Sequence, residues 1–285
     1  MAEPPTDTAQ ILALLQKQAE QSRYLAQLRV QRAWDEEIKK PRHADPKRLV
    51  RYGYKVYSQN DEDGIIAEIF RRIGITSRTF VEFGVETGVE CNTAKLLVDG
   101  WRGLWIEANP QSVAAIRDNL ASFIADGRLS VVESRVTAEN INALIAQSGL
   151  ANEIDLLSID IDFNDYWIWK AIDAVNPRVV VIEYNATLRP PMSLVVPYRP
   201  ETQWDGSNYY GASLEALVKL GAEKNYHIVG CSIAGVNAFF VRADLAGDRF
   251  LEPATAQEHY EPPRHYFYLL PSGGLRARPG PFVQV

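Results

Sequence analysis

The run Thr79-Phe80-Val81-Glu82-Phe83-Gly84-Val85-Glu86-Thr87-Gly88 decides how the rest of the chain is read. It begins as a short apolar segment of β type, passes through a turn with two glycines, and resumes at Val89-Glu90-Cys91-Asn92-Thr93-Ala94-Lys95-Leu96-Leu97 with helical spacing. A strand that feeds a helix through a glycine turn is the opening unit of a nucleotide-binding sheet. A cofactor site is therefore expected at this turn.

Working outward, the same unit repeats. A strand near 102–107, ending in Glu107, precedes a helix capped by Asn109 with Pro110 at its first position and an apolar face of Val113, Ile116, Leu120 and Phe123. A strand near 129–133 and a helix over 138–147 follow. The fourth strand, 154–160, leads through acidic residues to a helix with Trp167 and Trp169, and the fifth, 178–183, is a β-branched run suited to burial on both faces. A helix over 212–219, stopped at Gly221, leads to two strands, 226–231 and 237–242, joined so closely that they should pair as an antiparallel hairpin. The expected fold is α/β, a doubly wound, mostly parallel sheet.

Upstream, Ile65, Ile66, Ile69, Phe70 and Ile73 mark a helix that Ser58 or Asn60 can cap and Gly74 ends. Residues 8–40 contain no Gly or Pro and carry Ile11, Leu14, Leu15, Leu25, Leu28 and Trp34, a weak heptad broken at Gln18 and Gln21-Ser22. This helix could be a dimerising arm, a lid, or a helix laid on the core. Lys39, Lys40, Arg42, Lys47, Arg48, Arg51 and Lys55 then form the one basic cluster, read as a solvated connector or as recognition of an anionic substrate. The expected division is an arm and connector over 1–47, a main domain over 48–245 and an extended tail over 246–285. The connection 185–210, rich in Pro, Tyr and Trp, is longer than a structural loop requires and reads as a substrate loop.

The formal charge of -6 and a pI near 5.4 argue against a non-specific nucleic-acid binder, which needs Lys and Arg to neutralise phosphates. No apolar run is long enough to span a membrane and the first residues lack the order of a signal peptide, so a cytoplasmic location is expected. Cys91 and Cys231 are too few for a disulfide framework or a zinc site and are expected to be buried.

In open parallel sheets ligands bind beyond the carboxyl ends of the strands, and here those ends are acidic. Glu82 and the Gly84/Gly88 turn follow the first strand. Glu107, where ribose hydroxyls are gripped in such sheets, follows the second. Glu86 stands where the dinucleotide pattern has its middle glycine and would repel a pyrophosphate, which favours a nucleoside cofactor without phosphates. Asp160, Asp162 and Asp165 follow the fourth strand, and Glu183 and Asn185 the fifth. Asp160, Glu183 and Asn185 offer hard oxygen ligands for Mg²⁺ or another divalent cation. Without a metal, Asp160 or Asp162 could act as general base; alternatively, Asp162 and Asp165 merely cap the following helix. Among the histidines, His43 falls in the connector, His227 in a strand where a core role is expected, and His259 and His265 in the tail.

Tyr57-Ser58-Gln59 with Glu62-Asp63-Gly64, Val81-Glu82-Phe83-Gly84, Asn92-Thr93, Gly100-Trp101-Arg102-Gly103, Ile106-Glu107-Ala108-Asn109-Pro110 and Ser158-Ile159-Asp160-Ile161-Asp162 resemble the FkbM-type S-adenosylmethionine-dependent methyltransferases. The resemblance covers about 55–185 and extends loosely to 243. It implies a seven-stranded class I methyltransferase fold with the last strand antiparallel, and S-adenosyl-L-methionine as cofactor. Glu82, Gly84 and Gly88 would hold the methionine end, Glu107 the ribose, and Ser134 and Arg135 the adenine. Gln59, Thr87, Thr93, Ala108 and Asp160 complete the implied cofactor set. The layout at the fourth and fifth strands resembles magnesium-dependent O-methyltransferases, with Asp160, Asp162 and Glu183 as the catalytic carboxylates. Phe163 stands where the family usually has glycine, which bears on the acceptor pocket.

The reading that results is methylation of a hydroxyl on a sugar or small polar metabolite, possible homo-oligomers through residues 8–38, and no nucleic-acid partner. Two alternatives stay open: a nicotinamide-dependent oxidoreductase on the same sheet, and a non-catalytic scaffold that keeps the cofactor pocket and dimerises through its first helix.

Overall fold

The computed structural model describes residues 7–150, 152–264 and 275–285. His265 lies outside the described residues. In chain order the elements that build the site are helix α1 (Asp7–Ile38), α2 (Glu62–Ile73), strand β1 (Thr79–Phe83), α3 (Ala94–Val98), β2 (Arg102–Glu107), α4 (Pro110–Asn119), α5 (Ala121–Ala125), β3 (Leu129–Glu133), α6 (Ile141–Gln147), β4 (Glu153–Ile159), α7 (Asp165–Ala171) and β5 (Asn176–Glu183). They are followed by β6 (Leu194–Val195), α8 (Leu214–Glu223), β7 (Tyr226–Cys231), β8 (Asn237–Arg242), α9 (Ala243–Ala246), α10 (Ala256–His259) and β9 (Val283–Gln284).

Seven strands form one sheet in the order β3-β2-β1-β4-β5-β8-β7, and β6 and β9 form a separate two-stranded patch. β1 to β5 are mutually parallel, and β8 enters antiparallel between β5 and β7. This is the class I methyltransferase arrangement, with the expected β7–β8 hairpin. The chain leaves β1 toward β2 on one side and reaches β4 on the other, so the crevice between β1 and β4 at their carboxyl ends is the topological switch point.

Burial on both faces accounts for the composition of the central strands. Val81, Phe83, Leu157, Val180 and Ile182 pack beneath α6, α7 and α8, while Phe80, Leu156, Val179 and Val181 face α2 and α3 on the other side. At the amino end of β4, Asp155 is fully buried. It accepts hydrogen bonds from the backbone N–H groups of Thr76, Ser77 and Arg78 and pairs with Arg178 at 2.9 Å, closing the bottom of the sheet.

Several expectations need correction. Helix α2 is preceded by Asp61, whose side chain makes no cap; the Ser58 hydroxyl instead accepts from the Asp63 N–H in the first turn, as expected of it, while Asn60 does not cap. α6 starts only at Ile141, because Asn140 folds back to accept from the Thr137 N–H. Gly221 does not stop α8 but lies inside it, where a Cβ would stand 3.0 Å from Phe240. His227 is exposed on edge strand β7 rather than in the core. Part of the basic cluster is structural: Arg42 pairs with Glu261 and Arg48 with Glu258, which fastens the chain before α2 to the segment at α10, while Lys40 pairs locally with Glu37 on α1. Both cysteines are buried and free. Among the described residues no helix is long and apolar enough to cross a membrane.

Candidate functional site

The turn after β1 is shaped by close approach. Gly84 has φ +79°, and a Cβ there would lie 1.5 Å from the Asp160 carbonyl oxygen, so the loop after β1 and the loop after β4 cross in contact. A second close approach frames the entrance. A Cβ on Gly64 would lie 2.3 Å from the Tyr52 carbonyl, and Asp63 Oδ2 accepts from the backbone N–H groups of Val56, Tyr57 and Ser58 and from the Ser58 hydroxyl. Neighbouring Glu62 accepts from the Asn60 N–H and from Asn237 Nδ2 at the start of β8, which brings the Ser58–Glu62 segment to the carboxyl edge of the sheet.

Glu82 is 4 % exposed and its four acceptor positions are filled. Oε1 accepts from the Asn92 N–H and the Ser158 hydroxyl, and Oε2 from the Thr93 N–H and hydroxyl. Burial pushes its carboxyl up, against the pull of these donors. The Thr93 hydroxyl is spent as well, since it also accepts from Trp105 Nε1. Glu82 therefore clamps the start of α3 with no acceptor position left for a ligand, and Thr93, fully buried, serves the same clamp, in contrast to the direct cofactor contacts expected of them.

Glu107 behaves differently. Oε2 accepts from the Glu86 N–H and Oε1 from the Asn109 N–H, each at 2.8 Å. One lone pair on each oxygen stays available, the pattern needed to accept from two vicinal hydroxyls. Ser134 follows directly, its N–H bonded to the Glu107 carbonyl, and Arg135 comes next along the same edge. Gly88 packs against the Trp105 ring, while Thr87, Ala108 and Gln59 are exposed. The Gln59 side chain accepts from Asn60 Nδ2.

The second constellation draws together at the ends of β4 and β5. Oxygens of Asp160, Asp162 and Glu183 all lie within 4.8 Å of one another. Burial first, then repulsion from Asp162, Asp165, Glu82 and Glu62, pushes the Asp160 carboxyl well above the usual range. Burial first, then repulsion from Asp160, Asp162 and Asp165, does this to Glu183, one of whose oxygens is buried with no hydrogen-bond partner. Asp162 is raised to about 6 by burial and by Glu86 and Glu107, and Asp165 to about 7 by burial and Asp162. Among the described residues, no Lys or Arg forms an ion pair with any of these carboxylates. Neither Asp162 nor Asp165 caps α7: Asn164 precedes that helix, and Asp165 Oδ1 accepts from the Ile161 N–H. Asp162 itself has φ +64°, a conformation that Asp tolerates better than most residues. The left-handed position is thus Asp162 and not Phe163, which packs edge-on against Tyr209 at 5.9 Å.

Asn185 does not belong to this cluster of ligands. Its Nδ2 donates to the carbonyls of Asn208 and Tyr210, and its Oδ1 accepts from the Thr187 N–H and hydroxyl, so both ends of the amide are committed. Its role is to fasten the two ends of the 185–210 connection. That connection is a strap rather than a free loop: β6 within it pairs with β9, the Trp167 indole N–H donates to the Val196 carbonyl, and Asn164 exchanges hydrogen bonds with Arg199. It delivers Tyr210, whose hydroxyl is held far above its ordinary pKa by burial and then by Glu183, Asp160, Asp162 and Asp165. Sequence reasoning gave Tyr210 no role at the acidic corner, because its place there depends on the strap's pairing with residues 283–284, more than seventy positions away. His43 and His259 are buried outside this corner, their pKa values depressed to about 4 chiefly by burial.

No protein-family model matches the chain, and no curated protein does. Among solved structures it is similar to a putative O-methyltransferase from Klebsiella pneumoniae, at 17% identity over 61% of this chain and 76% of that one, with a TM-score of 0.40. It is also similar to the pyocyanin biosynthetic protein PhzM, at 17% identity over 62% of this chain and 54% of that chain, TM-score 0.36. A third is the glycopeptide N-methyltransferase MtfA, solved with sinefungin, at 14% identity over 62% of this chain and 84% of that one, TM-score 0.38.

Proposed function

We propose that residues 48–245 form an S-adenosylmethionine-dependent methyltransferase that methylates a hydroxyl of a sugar or small polar metabolite. One observation carries this reading: Glu107 joins the turns after β1 and β2 and keeps an open acceptor position on each oxygen, beside carboxylates that no basic side chain among the described residues pairs with. Two vicinal hydroxyls and a cationic centre, as in a sulfonium nucleoside, would satisfy both features. A pyrophosphate would satisfy neither, and Glu86, exposed and with φ +48°, lies where it would enter, which disfavours the nicotinamide alternative.

In this reading Gly84, Thr87 and Gly88 let the chain approach the methionine end, Glu107 and Ala108 hold the ribose, and Ser134 and Arg135 border the adenine. Bound S-adenosylmethionine supplies an electrophilic methyl group. The protein's part is to orient the acceptor oxygen toward it and to take its proton. Asp162, raised to about 6, is suited to hold that proton near neutral pH, and the Tyr210 hydroxyl can donate to the acceptor or to the neighbouring carboxylates.

A second reading concerns a divalent cation such as Mg²⁺. The oxygens of Asp160, Asp162 and Glu183 fit a hard-cation set by their number and spacing, and the unpartnered oxygen of Glu183 favours it. Asn185 does not fit. A cation held there would lower the pKa of an acceptor hydroxyl.

Incubation with S-adenosylmethionine and a panel of glycans and hydroxylated metabolites, read by mass spectrometry, tests the activity. The expected result is gain of one methylene mass at a hydroxyl, lost in Asp162→Asn. Gain only at amines would refute the hydroxyl acceptor, and reduction of a nicotinamide cofactor in its place would refute the methyltransferase.

A further inference from the structure

Helix α1 touches the body of the protein only along its last three turns. Ala26, Val30, Ala33, Trp34, Glu37 and Ile38 are partly or fully covered, and Glu37 is tied to Arg264 at 2.7 Å, whereas residues 10–25 are exposed throughout. At about 100° per residue, Ile11, Leu14, Gln18, Gln21, Leu25 and Leu28 form a stripe about 150° around the helix from the face laid on the body, nearly opposite to it. Their spacing alternates three and four, the coiled-coil interval. Ile11 and Leu14 are 55 % and 66 % exposed, and Leu25 and Leu28 are 56 % and 48 %. The body cannot cover this stripe, because it holds the opposite side of the helix.

The order of residues along the stripe indicates what covers it. Read from either end, it runs two apolar residues, two glutamines, two apolar residues. We propose that α1 pairs antiparallel with α1 of a second copy of this chain. In that pairing Ile11 meets Leu28 of the other copy, Leu14 meets Leu25, and Gln18 meets Gln21, so every layer is matched and the two amides hydrogen-bond at the centre. Polar core residues of this kind set register and orientation at some cost in stability. Leu15 widens the apolar seam on one flank, while Leu12 lies outside it.

Charge decides against the parallel alternative. Arg32 and Asp35 continue the stripe beyond Leu28, and both are exposed. A parallel pair would set Arg32 against Arg32 and Asp35 against Asp35 in successive layers, and like charges at such close range repel. The antiparallel pair separates them and places the two bodies at opposite ends. This pairing is independent of the proposed methyl transfer, and its failure would leave that reading untouched.

Analytical ultracentrifugation of the full chain tests it, with Leu14→Asp/Leu25→Asp as the control. Both positions are exposed in the single chain, so an unchanged thermal unfolding curve confirms that the variant is folded. The expected result is twice the 32.0 kDa chain mass for the wild type and the single mass for the variant. A wild type of single mass at micromolar concentration, or a variant still of double mass, would overturn the pairing. Orientation is read by oxidative cross-linking, since the native cysteines are buried. A Gln18→Cys and Gln21→Cys mixture should give the mixed disulfide, and efficient cross-linking of Gln18→Cys alone would overturn the antiparallel arrangement.

Discussion

Gly84 sets the tightest constraint on a single residue. Its φ of +79° lies in the region open to glycine, and a Cβ would fall inside the Asp160 carbonyl, so Gly84→Ala must push the β1 and β4 loops apart. The expected outcome is a loss of about 3 kcal/mol or more in urea unfolding, beyond the usual range for a point change. An unfolding midpoint equal to wild type would contradict the crossing. Asn185 and Asp162 give a paired test of the cation site. In calorimetric titration with Mn²⁺, Asp162→Asn should abolish binding, while Asn185→Ala should keep it and instead destabilise the fold by about 1–3 kcal/mol, because buried strap carbonyls lose their donor. The reverse pattern would restore Asn185 as a ligand. Residue type alone suggested Asn185, since a strand-end amide oxygen is a plausible ligand. What removes it is its bond to Thr187, two positions on, and to carbonyls more than twenty positions away.

At the scale of elements, the strands and their parallel pairing were legible because each sits between helices with its own caps and stops. Asn109 accepts from the Gln111 and Ser112 N–H groups, and Gly74 closes α2 with φ +76°. Boundaries failed where local hydrogen bonds compete with the helix, as at Asn140, or where packing overrides propensity, as at Gly221. The β6–β9 patch was not legible. Two strands of two residues each carry no periodicity, and their partnership is a long-range packing event. The same limit hid the use of the basic cluster, whose partners Glu258 and Glu261 lie more than two hundred residues away. At the foot of the sheet, Arg178→Ala should cost about 3–5 kcal/mol, because Asp155 would stay buried with its charge less compensated. Backbone and Arg178 donors hold Asp155 below its ordinary value against the upward push of burial. The stability it contributes is present above about pH 4 and is lost as pH falls further. A cost under 1 kcal/mol for Arg178→Ala would show that the three backbone donors suffice without it.

For the molecule as a whole, an acidic edge on an otherwise ordinary sheet makes stability depend on pH in the opposite sense. Asp160, Asp162, Asp165 and Glu183 have folded pKa values above the normal range, so the folded protein holds more protons than the unfolded chain from about pH 4 upward. The stability from those protons is full below the unfolded values and is lost as pH rises through about 6 for Asp162 and about 7 for Asp165. The ligand-free protein should therefore melt at a lower temperature at pH 8 than at pH 5.5, and Asp165→Asn should narrow the difference. A higher melting temperature at pH 8 than at pH 5.5 would contradict the uncompensated cluster. The central claim is that this edge, read through Glu107, holds S-adenosylmethionine. The most direct measurement is calorimetric titration of S-adenosylhomocysteine, the shared nucleoside product, into the wild type and into Glu107→Ala. The account predicts micromolar binding to the wild type and a loss of about tenfold or more in the variant, since bonds to a charged acceptor contribute about 1.5–3 kcal/mol. Binding unchanged by the substitution, or no binding to the wild type alongside tight binding of NAD, would contradict it.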